Sequence, residues 1–137
     1  DVIVGFPGET DADFKATIDL VERVGFAQGY SFKYSARPGT PAALLDDAVA
    51  AAVQQERLAR LQALIDRQQS TFNAATVGKK LPVLFDRQGR RHGQIVGKTP
   101  YLQSVHAQGT TLLIGTLSTV EIVDRQRNSL GGVIIGP

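Results

Sequence analysis

The apolar residues change period at Val77-Gly78, and no other feature constrains the fold of this chain as strongly. Before that dipeptide they recur at the spacing of helices that bury one face. After it they fall in short runs separated by polar turns, the spacing of strands. A chain with both patterns in series reads as α/β first and all-β second. The expected division is residues 1–75 and residues 76–137. A chain of 137 residues can bury one sizeable core or two small ones.

The first unit reads strand, helix, strand. Val2 to Val4 are consecutive apolar residues, as in a parallel strand covered on both faces. Pro7-Gly8 breaks the run. Thr10 can cap a helix with Asp13 three residues on and Asp11 near the positive helix end, and Gly25 can end it. Phe14, Ile18, Val21 and Val24 form its expected buried stripe. Tyr30, Phe32 and Tyr34 then alternate with Ser31, Lys33 and Ser35, a strand period. Two strands joined by such a helix make a right-handed parallel unit. Two strands cannot complete a sheet that apolar, so partner strands are expected outside this unit, which reads as part of an incomplete, TIM-like α/β barrel and the tail of a larger protein. In a barrel the aromatic face would meet the helices, and Ser31, Lys33 and Ser35 would face the lumen.

"SARPGTPAA" is a Pro/Gly loop, followed by a long helix expected from about Ala48 to Ala74. Leu58, Leu61, Ile65, Gln68 and Phe72 share one face, with Leu64 beside them. Arg57, Arg60 and Arg67 fall on the others and read as a solvated face, with Glu56 and Arg60 as an i,i+4 pair. Beyond Gly78, strands are expected over 81–85, 93–98, 101–106, 117–123 and 130–135. Five short strands at this spacing predict a small closed antiparallel barrel of OB-like size.

Composition narrows the chemistry. There is no cysteine, which excludes disulfides, thiolate metal sites and cysteine nucleophiles in this chain. His92 and His106 are the only imidazoles, in no zinc-like spacing. No apolar run approaches the ~18 residues that span a bilayer, and no signal peptide is visible, so no membrane partner and a cytoplasmic location are expected. The net charge of +2 conceals a division. Up to Thr71 there are seven Lys/Arg and ten Asp/Glu, a balance of −3; from Phe72 onward there are eight and three, a balance of +5. A basic second half suits a polyanion, or simply a soluble surface.

"GFPGET" lacks the endings of a phosphate-binding P-loop and of a dinucleotide fingerprint. It reads as a strand end, a turn and a capped helix, although Gly5 and Gly8 would let a ligand approach the backbone at the end of a barrel strand. Glu9 and Asp11 could do acid–base work, but helix-terminal charge explains them more simply. Lys33 and Arg37 could bind a carboxylate or phosphate or form internal ion pairs. No Ser-His-Asp set can be assembled. Lys79, Lys80, Arg87, Arg90, Arg91, His92 and Lys98 cluster in the second unit, with Tyr101 and His106 following. A basic barrel with an aromatic rim is a common grip on RNA.

Taken in order, "DVIVGFPGETDADF", "YSFKYSARPGTPAA", the Arg/Leu-rich helix ending Phe72-Asn73, "GQIVGKTPYLQSVH" and "NSLGG" resemble the C-terminal part of the radical S-adenosylmethionine methylthiotransferases. The resemblance covers essentially the whole chain. It is nearest the branch that adds a methylthio group to isopentenylated adenosine beside the tRNA anticodon. It implies that residues 1 to about 43 are the last strands of the radical-SAM barrel, with Val2–Gly8 near the cofactor adenine. Ile3, Gly5, Phe6, Lys33 and Arg37 are then the cofactor-binding candidates. Residues from Asn73 on would be a TRAM domain that binds the anticodon arm of tRNA through Lys79, Lys80, Arg90, Arg91, Lys98, Tyr101 and His106. The family uses adenosylmethionine and two 4Fe–4S clusters, held by cysteines outside this sequence. The chain would then hold no catalytic or metal-binding residue, and would be inactive without the missing N-terminal part. Arg37 stands where the branch acting on a ribosomal protein carries an acidic residue, and "TPYLQSVH" favours isopentenylated over threonylcarbamoyl-adenosine. The competing expectation is a non-catalytic RNA-binding barrel with an α/β appendage.

Overall fold

The computed structural model describes all residues, 1–137, in two units, Asp1–Gln69 and Ser70–Pro137. In the first, β1 (Val2–Val4) is followed by α1 (Asp11–Val24) and β2 (Ser31–Lys33). The expected capping box is present: the Thr10 hydroxyl accepts the Asp13 amide, and the Asp13 carboxylate accepts the Thr10 amide. The Thr10 amide, and after it the Thr10 hydroxyl, hold the Asp13 carboxyl below its usual range. Gly25 closes the helix in the left-handed conformation, φ 65°.

Helix α2 spans Ala51–Thr76, somewhat later than expected. Phe14, Val21, Leu61, Leu64, Ile65 and Val4 form the core of the first unit, with Val2, Ile18 and Leu58 packed against it. Val24, expected in that stripe, is exposed. At about 100° per residue Val24 lies about 80° round the helix from Phe14, against about 20° for Val21, which carries it off the buried face.

Strands β1 and β2 pair in parallel, Val2 with Ser31, Ile3 with Phe32 and Val4 with Lys33. This register reverses the expected faces of β2. Val4 is fully buried and Val2 packs against the same core, so Ser31, half-buried opposite Val2, takes the helix side of the sheet, while Lys33, at the strand end, is exposed. Phe32, 52% exposed, stands beside Ile3, 56% exposed, on the opposite open face. Alternation within β2 could not say which face was which; pairing with β1 decides it.

In the second unit β3 (Lys80–Gln88), β4 (Gln94–Lys98), β5 (Ser104–Gln108), β6 (Leu117–Arg125) and β7 (Leu130–Gly136) close a barrel in the order β3-β4-β5-β7-β6. Its core is Val83, Phe85, Ile95, Val105, Ala107, Val120, Ile122 and Leu130. The barrel is not wholly antiparallel, because β5 and β7 pair in parallel. Parity requires this: a closed ring with an odd number of strands cannot alternate direction at every step. The expected strand over 101–106 begins later, at Ser104. Residues 99–103 instead form a turn with Leu102 at φ 63°.

Candidate functional site

Two places gather the candidate residues, one in each unit. In the first, a cavity of about 510 Å³ opens beside the C-terminal ends of β1 and β2. Ile3, Phe6, Phe32 and Ala42 supply apolar wall; Lys33, Tyr34, Ser35, Arg37 and Thr40 complete the lining. Four of the five candidates, Ile3, Phe6, Lys33 and Arg37, therefore meet at one cavity. Gly5 is not on its wall. It sits behind Phe6 with φ 73°, and a Cβ there would collide with Gln54. Phe6 meets Tyr34 edge-on, ring centroids 5.2 Å apart.

Arg57 was expected on a solvated face, but it is only 5% exposed. Its Nη1 donates to the Glu9 carbonyl oxygen at 2.9 Å and to Glu9 Oε1 at 2.8 Å, and its Nη2 donates to Asp11 Oδ1 at 2.7 Å. Its guanidinium also lies over the Phe14 ring, 5.7 Å from the centroid. The hydrogen bond to Asp11 raises the Arg57 pKa, burial opposes the rise, and Glu9 adds to it. Glu9 and Asp11 are thus more than helix-terminal charges. Helical spacing could not reveal this, because the partners lie 46 and 48 residues away in sequence. Arg60 remains exposed, 3.5 Å from Glu56 as the i,i+4 spacing implied.

In the second unit, a cavity of about 520 Å³ lies between the β3–β4 and β6–β7 turns. Arg87, Arg90, Arg91 and His106 line it together with Gln94, Ser104, Gln126, Asn128 and Ser129. Arg87 is paired with Asp86 at 2.7 Å, whereas Arg90 and Arg91 enter no ion pair. His106 lies on β5 opposite Val96 and Gly131, half-buried. Sequence reasoning missed the amide and hydroxyl groups, most of all those of "DRQRNS", which had been read only as a turn. Lys98 is close by on β4, its Nζ donating to Ser104 Oγ at 2.7 Å.

The basic candidates do not all converge. Lys79 and Lys80 stand at the start of β3, with Lys80 opposite Glu121 of β6. Arg90 and Arg91 follow the other end of that nine-residue strand, roughly 25–30 Å along it at 3.3 Å per residue. Tyr101 stands apart from the cavity too. It is 53% exposed and rests edge-on against Phe72, centroids 5.3 Å apart.

A buried network fixes the turn that carries Tyr101. Gln103 Nε2 donates to Asn73 Oδ1 at 2.8 Å and to Thr76 Oγ1 at 3.0 Å, and its Oε1 accepts from Thr99 Oγ1 at 3.1 Å. The Thr99 hydroxyl also accepts the Tyr101 amide at 3.2 Å. No group of three or more His, Cys, Asp or Glu is placed to hold a metal ion, and no helix is long and apolar enough to cross a membrane.

A closed five-stranded barrel with a basic, amide-rich flank agrees with the family model that matches this part of the chain, the TRAM domain, over residues 74–135. The relatives extend the likeness beyond it. The chain is 55% identical over 136 residues, 99% of its length, to the tRNA-2-methylthio-N(6)-dimethylallyladenosine synthase of Maricaulis maris. It is also 55% identical to the synthases of the same name from Sphingopyxis alaskensis and Novosphingobium aromaticivorans, in each case over 96% of the chain. The chain spans about 30% of the length of each of these curated relatives.

Proposed function

We propose that this chain is the C-terminal part of a radical-SAM tRNA methylthiotransferase that modifies isopentenylated adenosine beside the anticodon. The observation that carries the reading is identity of 55% sustained through both units, not through the TRAM domain alone. The first unit then supplies the last strands of the radical-SAM barrel, and the two-stranded β1–β2 sheet leaves a free edge along which further strands would continue it. The boundary between barrel-derived segment and TRAM domain falls near residue 75.

The residues at the first cavity fit adenosylmethionine. Its volume suits a nucleoside-sized ligand; Ile3, Phe6 and Phe32 offer apolar surface to a purine, and Lys33 and Arg37 offer cations to a carboxylate. When bound, the cofactor supplies the radical and methyl chemistry, while these residues bind and orient it. The chain has no thiolate for an iron–sulfur cluster, so both clusters would be held by cysteines elsewhere in the protein. The TRAM domain would grip the anticodon arm through Arg90, Arg91, Lys98 and His106, with Lys79 and Lys80 meeting phosphates farther along and Tyr101 stacking on an unpaired base. Such an enzyme works where tRNA is matured, in the cytoplasm.

The test is nucleoside mass spectrometry of tRNA from a strain lacking the full-length gene, with and without its return. Methylthio-isopentenyladenosine should appear only with the gene. Methylthiolation of threonylcarbamoyl-adenosine or of a ribosomal protein instead would move the protein to a sister branch. Restored tRNA binding with no methylthio product of any kind would support the non-catalytic module.

A further inference from the structure

We propose that Arg57 is a positioning residue for the adenosylmethionine cavity, acting through Glu9 and Gly5 on Phe6; the proposal rests on reading that cavity as the cofactor site. The connection runs through single atoms. Arg57 Nη1 and the Gly5 amide both donate to Glu9 Oε1, at 2.8 and 2.9 Å. Gln54, one turn before Arg57 on α2, donates to the Gly5 carbonyl oxygen at 2.9 Å. Both backbone groups of Gly5 are thus held by side chains, in a conformation with φ 73°. The next residue is Phe6 on the cavity wall. A loop held only by its own turn would sample many conformations. This one is fixed to a long helix by a guanidinium fork whose geometry a lysine cannot reproduce.

The two arms of the fork are unequal. The Glu9 side chain is 10% exposed and that of Asp11 fully exposed. Water can replace Asp11 as a partner for Nη2, but nothing else can neutralise and orient Glu9 where it lies. Cofactor affinity should therefore depend on the Arg57–Glu9 arm and ignore the Asp11 arm.

The experiment measures adenosylmethionine dissociation constants by equilibrium dialysis on the full-length protein and its variants, with tRNA affinity measured in parallel. Arg57→Lys should weaken cofactor binding about tenfold or more, because small displacements of a positioned group are costly, and leave tRNA affinity unchanged. Asp11→Asn should stay within about twofold of wild type, because the Asp11 side chain is fully exposed and water can take its place. Should Arg57→Lys not fold, Gln54→Ala carries the test: it removes one hydrogen bond and should weaken cofactor binding about threefold or more. A folded Arg57→Lys with wild-type cofactor affinity overturns the proposal, as does Gln54→Ala with wild-type affinity where the lysine variant does not fold. A wild-type protein that fails to bind adenosylmethionine overturns the cavity assignment itself, a different result from normal wild-type binding with insensitive variants.

Discussion

Replacing Gln103 by leucine should destabilise the barrel unit far more than a turn residue ordinarily would. Gln103 is 7% exposed, and its side chain has three hydrogen-bond partners, on Asn73, Thr76 and Thr99. Leucine has a similar volume, so no large cavity forms. The damage is to the partners. Asn73 is itself buried, and its Oδ1 loses the bond that satisfies it. The Thr99 hydroxyl loses its acceptor, whereas Thr76 keeps its bond to the Phe72 carbonyl oxygen. Two orphaned buried groups at about 1–3 kcal/mol each, partly offset by the apolar side chain, give a net loss of about 2–4 kcal/mol. For a unit of this size that corresponds to a fall in melting temperature of roughly 10–20 °C. Thermal unfolding followed by circular dichroism reads the loss, and amide exchange at Val105 and Ile122 assigns it to the barrel. Asn73→Leu combined with Gln103→Leu should cost less than the sum of the two single changes, by about 1–3 kcal/mol, because each alone orphans the other. A melting temperature within about 2 °C of wild type for Gln103→Leu, against the several degrees expected per kcal/mol, would refute this account of the turn.

Replacing Arg90 and Arg91 together by alanine should flatten the dependence of log tRNA affinity on log salt by about one to two units; an unchanged slope would remove phosphate from this flank. The same change at Lys79 and Lys80 tests whether the distant start of β3 belongs to the interface, and an equal flattening is expected if tRNA reaches both. Tyr101→Ala should weaken binding by about 1–3 kcal/mol if the ring stacks on a base, with the salt slope nearly intact; a large fall in melting temperature with unchanged affinity of the folded protein would assign Tyr101 to packing on Phe72. Gly97→Ala should disrupt β3–β4 pairing, since its Cβ would collide with the Leu84 carbonyl group, and the loss should exceed the roughly 1 kcal/mol typical of point changes. Stability no lower than wild type would contradict that geometry.

Local chemistry was legible in the sequence wherever neighbours along the chain sufficed. The Thr10–Asp13 capping box, the left-handed stop at Gly25, the Leu61–Ile65 face of α2 and the number of barrel strands all follow from spacing within a few residues. Only the tertiary structure could decide what depends on distant segments. The open face of β2 was fixed by the register of Phe32 against Ile3, because a period of two is symmetric between the faces of a lone strand. Arg57 left its expected solvated face because Glu9 and Asp11, far away in sequence, came to meet it. The basic residues, continuous in the charge count, separated because a nine-residue strand carries Lys80 and Arg90 apart. The parallel pairing of β5 and β7 was open to simple reasoning, since five strands cannot close with every neighbour reversed. Which pair would break the alternation was settled by the chain path, in which β7 enters between β5 and β6.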